Sequence, residues 1–209
     1  VALVPQAVKQ GYLAATTPLV QWLIRRGITP NTLTTIGAGL IIASSVAYGV
    51  GAMRWGGALL LLSGMLDTLD GQVARLGAQT TDFGAFYDST LDRVGDGASF
   101  IGIAAYFLYA PDIRWREEAV LACLVGILAA VLVSYMRARA EGLGLDCKVG
   151  VAQRLERILG LGLPTLLIGA GEGGVVLTTI VVVLTVLSII TVGQRFAHVY
   201  RVTAAAGVK

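Results

Sequence analysis

The chain has 209 residues, 56% of them hydrophobic and 14% charged, with a mean hydropathy of +0.76 and a formal net charge of +3. A soluble domain would carry charge on about 25% of its residues, so this composition excludes one and points to an integral membrane protein. The basic balance does not imply nucleic-acid binding either, because the lysines and arginines are grouped by membrane side rather than in one stripe.

The first 28 residues interleave Val8, Leu13, Leu19, Trp22 and Leu23 with Lys9, Gln21, Arg25 and Arg26. That stretch is too polar to span a bilayer. It reads as an amphipathic helix lying on the membrane surface, with its arginines near lipid headgroups. Residues 29–209 form one further domain, since no Pro- or Ser-rich linker divides them. Thr29-Pro30-Asn31-Thr32 marks a helix start, with Thr29 or Asn31 as cap and Pro30 in the first turn. Six apolar runs follow, at about 31–51, 56–75, 82–109, 117–140, 153–171 and 174–200, each near the ~20 residues that cross ~30 Å of hydrocarbon. The expected fold class is therefore all-α, with six transmembrane helices behind an interfacial one.

Placing both termini on the cytoplasmic side puts twelve basic residues inside, from Lys9 to Lys209, and only Arg54, Arg114 and Arg116 outside, with Arg93 within a span. Most glycines within the helices, among them Gly37, Gly39, Gly95, Gly97, Gly160 and Gly162, are expected to let helices pack closely. Cys123 and Cys147 lack metal-ligand spacing, and His198 reads as an interfacial side chain.

One stretch does not fit a purely structural reading. Six of the thirteen acidic residues lie between Asp67 and Asp96, flanked on both sides by apolar sequence. Ionisable groups within a membrane segment are costly and mark function. Asp67 and Asp70 are three apart; Asp88, Asp92 and Asp96 are four apart, so each set projects from one helical face. Folding the two helices back about residues 79–80 brings Asp70 level with Asp88, and Asp67 level with Asp92, about 9 to 15 Å from the turn. Four converging carboxylates need cations, and hard oxygen ligands suit Mg²⁺ or Mn²⁺ with substrate phosphates. The arrangement points to a two-metal phosphoryl-transfer site opening to the cytoplasm.

The pattern D-x2-D-G-x2-A-R-x8-G-x3-D-x3-D is complete here as Asp67, Asp70, Gly71, Ala74, Arg75, Gly84, Asp88 and Asp92. It resembles the signature of the CDP-alcohol phosphatidyltransferase family. The resemblance implies that a hydroxyl attacks the β-phosphorus of a CDP-linked lipid and that CMP leaves. It also implies that Asp67, Asp70, Asp88 and Asp92 hold the metal, two ions of Mg²⁺ or Mn²⁺, with Asp92 as base. Asp67, Asp70, Gly71, Ala74, Arg75 and Gly84 would bind the CDP-lipid, joined by Pro30, Asn31 and Thr34 of the first span. Asp96 lies outside the signature; supporting the site from behind and pairing with Arg93 both remain open.

The segments Ser134-Tyr135-Met136-Arg137-Ala138-Arg139-Ala140-Glu141, Arg154-Leu155-Glu156-Arg157 and Gln194-Arg195 are similar to those of the prokaryotic phosphatidylinositol phosphate synthase branch and its archaeal-lipid counterparts. In that branch CDP-diacylglycerol donates to inositol 1-phosphate. Ser134, Arg137, Arg154 and Arg195 would then bind the acceptor. Arg137 stands where many relatives carry lysine, and Leu155 where the bacterial enzymes often have proline. Glycerol 3-phosphate, free inositol and serine are the alternative acceptors. A homodimer is implied by the family as well. A carboxylate-lined cation transporter is the rival of a different class, but it would spread its acids along a path rather than gather them toward one side. A prenyltransferase would show aspartate-rich boxes in place of D-G-x2-A-R.

Overall fold

The computed structural model describes residues 6–206, with side chains from residue 11 to residue 204. Val8 and Lys9 thus fall outside the described side chains, and Lys209 outside the described residues. The described residues form seven α-helices: α1 (Gln6–Arg25), α2 (Pro30–Gly49), α3 (Met53–Leu76), α4 (Asp82–Tyr109), α5 (Arg116–Glu141), α6 (Arg154–Leu167) and α7 (Val175–Ala206). A 3-10 turn, Glu172–Gly174, precedes α7, and there is no strand among the described residues.

Local chemistry accounts for the helix ends. Thr29 is extended and its hydroxyl accepts from Thr32 N, while Pro30 supplies the first helical position of α2. Thr81 caps α4 in the same way, accepting from Gly84 N at 3.0 Å. The helix expected over 153–171 stops at Leu167, because Gly169 takes a left-handed φ of +84° and donates its N–H back to Thr165 O. Its fourteen residues therefore span only about 21 Å.

Packing between helices follows one closed circuit: α2 lies against α4, α4 against α5, α5 against α7, α7 against α6, α6 against α3, and α3 against α2. α1 sits outside this ring on α3, through Val20 and Leu23 meeting Leu69 and Val73. Thr16 Oγ1 adds a hydrogen bond from Gln72 at 2.8 Å. Glycine makes two of the contacts so close that no side chain fits. A Cβ on Gly102 would lie 2.1 Å from Ser45 O of α2, and one on Gly57 would lie 2.7 Å from Gly162 O of α6. Gly37, Gly95, Gly160 and Gly162 also face neighbouring helices, whereas Gly39 and Gly97 face open space.

The apolar exterior of this ring sets it apart from a soluble bundle. Ser44, Ser63, Asp70, Ser99, Arg157, Thr165, Ser188, Thr191 and Arg195 are buried alongside the apolar core. Ile42, Trp55, Leu62, Ile101, Leu124, Leu128, Val186 and Ile190 are exposed. Three helices are by themselves long and apolar enough to cross a membrane: Pro30–Gly49, Arg116–Glu141 and the segment Glu172–Ala204. α3 and α4 have the length but carry the acidic residues, and α6 is short.

Candidate active site

The acidic row lies where α3 and α4 face one another inside the ring. Both helices lie against α2 more closely than against each other, which leaves a gap between them. Across it, Asp67, Asp70 and Asp88 each offer a carboxylate oxygen, all within 4.8 Å of one another. Asp70 is buried and accepts a hydrogen bond from Thr34 Oγ1 at 2.7 Å. Asp88 Oδ1 is buried and accepts none. An acceptor oxygen left without a donor, beside two more carboxylates, fits a divalent cation.

Asp92 stands apart from that trio. Its Oδ1 lies 2.6 Å from Arg154 Nη1, the same nitrogen that lies 2.5 Å from Asp67 Oδ1. Arg154 thus sits between two of the four carboxylates as their counter-charge, a position its sequence context did not suggest. Asp96 pairs with Arg157 at 2.5 Å, not with Arg93, which lies 3.7 Å from Asp92 instead.

Two cavities adjoin this row at different carboxylates. One, of about 180 Å³, is lined by Pro30, Asn31, Thr34, Asp70, Gly71, Ala74, Arg75, Gly84 and Asp88. These are the residues expected around the CDP-lipid, with Asp67 standing just outside. A Cβ on Gly71 would meet the Arg75 guanidinium at 3.1 Å, and one on Gly84 would meet Thr81 Oγ1 at 3.0 Å and Asn31 Oδ1 at 3.3 Å. Both glycines therefore keep the cleft open.

The other cavity, of about 360 Å³, contains Ser134 and Arg137 from α5, Arg154 and Arg157 from α6, and Arg195 from α7, with Asp67 and Asp92 at its floor. All four residues expected to bind the acceptor are thus brought together. Their guanidiniums are not equally free. Arg137 pairs with Glu141 at 2.9 Å, on the exposed rim. Arg195 is buried and donates to Val149 O at 2.9 Å and to Val133 O, so part of its role is to hold the 142–153 loop. Arg154 Nε is buried with no acceptor. Arg157 and Glu156 line the same cavity; the motif R-x-E-R contained both, but only their place at the start of α6 reveals it.

Known proteins resemble this arrangement throughout the chain. A family model described as CDP-alcohol phosphatidyltransferase matches residues 27–191. The phosphatidylinositol phosphate synthase of Mycobacteroides abscessus is 36% identical over 205 residues, covering 95% of this chain and 89% of that protein. The archaetidylinositol phosphate synthase of Methanothermobacter thermautotrophicus is 36% identical over 192 residues, covering 86% and 91%. Among solved structures, the Mycobacterium tuberculosis phosphatidylinositol phosphate synthase with CDP-DAG bound superimposes with a TM-score of 0.76 at 32% identity, covering 88% of this chain and 93% of that one. The same enzyme in complex with manganese and citrate gives 0.77 at 30% identity, covering 88% of each.

Proposed function

The chain belongs to the CDP-alcohol phosphatidyltransferase family, and from that premise we propose that it transfers the phosphatidyl group of CDP-diacylglycerol to a hydroxyl of inositol 1-phosphate, releasing CMP. One observation carries the choice of acceptor. A cleft lined by Gly71, Ala74, Arg75 and Gly84 reaches Asp70 and Asp88 of the row, and a larger cavity lined by four arginines of α5, α6 and α7 reaches Asp67 and Asp92. A nucleotide diphosphate and an anionic alcohol can thus meet the row at different carboxylates.

On this reading Arg75 pairs with the diphosphate, and Gly71 and Ala74 let the cytidine lie against α3. Arg154 and Arg195, with Arg137 and Ser134 at the rim, hold the acceptor's phosphate and so orient its hydroxyl. The hydroxyl oxygen bonds to the β-phosphorus, the bond from that phosphorus to the bridging oxygen breaks, and its electron pair leaves with CMP. Asp92 takes the hydroxyl proton. Divalent cations held by Asp67, Asp70, Asp88 and Asp92, Mg²⁺ or Mn²⁺ and two in number, neutralise the diphosphate and the charge developing on CMP.

The same reading extends to the membrane. Residues 29–209 form the transferase domain with α2 to α7 as six spans, the shorter and more acidic ones shielded by their neighbours. Residues 1–28 lie at the interface, and the site and both termini face the cytoplasm. The functional unit is a homodimer.

Purified protein should release CMP from CDP-diacylglycerol in the presence of Mg²⁺ when given inositol 1-phosphate, and far less with glycerol 3-phosphate, free inositol or serine. A CDP-linked archaeal ether lipid run in parallel identifies the preferred donor. Preference for another alcohol would remove the proposed acceptor while leaving the reaction class in place.

A further inference from the structure

Two arginine–carboxylate pairs cross from α6 to α4, one helical turn apart. Arg154 reaches Asp92, and Arg157 reaches Asp96. α6 packs chiefly on α3 and α7, and α4 on α2 and α5, while Phe100 of α4 joins Ile158 and Leu161 of α6 in one apolar cluster. The two pairs are the charged ties between α4 and α6 beside the large cavity. They differ in what else can claim them. Asp92 belongs to the carboxylate row, and Arg154 lines the cavity and has a buried Nε with no acceptor. Any cation at the row competes for Asp92, and any phosphate competes for Arg154, so binding of substrates undoes the outer pair.

The inner pair is more enclosed. Asp96 and Arg157 are 10% and 7% exposed. Beside them is a void of about 30 Å³, walled by Leu60, Phe100, Ile158 and Leu184, with room for a water but not for a substrate. Arg157 borders the acceptor cavity, yet its Nη2 is held by Asp96 at 2.5 Å and its Nη1 donates to Ala152 O at 3.3 Å. Ala152 N in turn donates to Thr191 Oγ1 of α7 at 2.9 Å. One side chain thus fixes the start of α6, the loop before it and the distance to α4.

The geometry points to Asp96 as a positioning residue for the acceptor: through Arg157 it holds α6 at the spacing that puts Arg154 within reach of the acceptor's phosphate once Asp92 is engaged elsewhere. This rests on the reaction proposed above and assigns Asp96 no contact with substrate.

The test is the steady-state kinetics of Asp96→Asn against both substrates, with a calorimetric Mn²⁺ titration alongside. The KM for the acceptor should rise about 10- to 100-fold, the effect of a small misplacement. The KM for CDP-lipid and the Mn²⁺ affinity should stay within about twofold of wild type. Asp96→Glu, which keeps the charge, should recover most of the loss. If Arg157 were instead a direct phosphate ligand, freeing it would lower the acceptor KM. An unchanged or lower acceptor KM, or an equal rise for both substrates, overturns the assignment. Should Asp96→Asn fail to fold because Arg157 is left buried and unpaired, Asp96→Asn with Arg157→Gln removes both charges and is read by the same split. The acceptor used is whichever one wild type turns over best. A wrong acceptor thus counts against the earlier proposal, while the split between the two KM values still decides this one.

Discussion

At the scale of single residues, Arg154 carries the sharpest consequence. Its Nη1 lies 2.5 Å from Asp67 and 2.6 Å from Asp92, and it is the only arginine that touches two members of the row among the described residues. A cation entering the row must displace or tolerate that guanidinium. Arg154→Gln should therefore bind Mn²⁺ more tightly than wild type while its acceptor KM rises by about tenfold or more. Calorimetric Mn²⁺ titration and acceptor kinetics read the two halves separately. Unchanged metal affinity would mean that Arg154 does not compete with the cation. The sequence made the row itself legible, because helical spacing aligns its carboxylates and eight positions within 26 residues resemble a family signature. It could not reveal what the row is paired with. Asp67 and Arg154 are 87 positions apart, Asp96 and Arg157 are 61 apart, and no local pattern encodes a meeting that closure of the ring creates.

At the scale of helices, the contact between α2 and α4 depends on a missing side chain. A methyl group on Gly102 would have to push Ser45 O of α2 aside, and backbone yields less readily than a side chain. Gly102→Ala should cost about 1 to 3 kcal/mol. Gly97→Ala, on the same helix but facing open space, should be neutral or slightly stabilising. Thermal unfolding in detergent compares the two, and equal losses would refute the close approach. Helix positions were readable from the sequence because apolar runs and caps are local signals. The end of α6 was not. The apolar run continues past Leu167 through Ile168 and Ala170, so hydropathy carries on where Gly169 has already turned the backbone. The partners of each helix were equally hidden. The five-residue connection, 77–81, pointed to α3 and α4 folding back on one another, but not to α2 lying against both.

At the scale of the whole molecule, buried polar side chains and an exposed apolar exterior are what a bilayer selects, since lipid rather than water surrounds the ring. The proposed orientation puts Arg54 and Lys148 on opposite sides, and both are exposed. The native Cys123 and Cys147 are buried and give little background. In sealed vesicles of defined orientation, an impermeant maleimide should label Arg54→Cys from the outer face only and Lys148→Cys from the cytoplasmic face only. Labelling of both from one face would overturn the six-span reading. Composition already implied a membrane protein, but the ring order α2, α4, α5, α7, α6, α3 departs from chain order and had no trace in the sequence.

The short α6 gives this enclosure one low wall. At about 21 Å it falls short of roughly 30 Å of hydrocarbon. Its missing length lies past Leu167, while its first turn carries Arg154 and Arg157, which line the cavity of about 360 Å³. A cavity of that size has room for water beside the carboxylate row. A dissolved sugar phosphate could then drift in from the aqueous side while a lipid slides in sideways with its tails still in the bilayer. The two reactants meet without either one leaving its own phase.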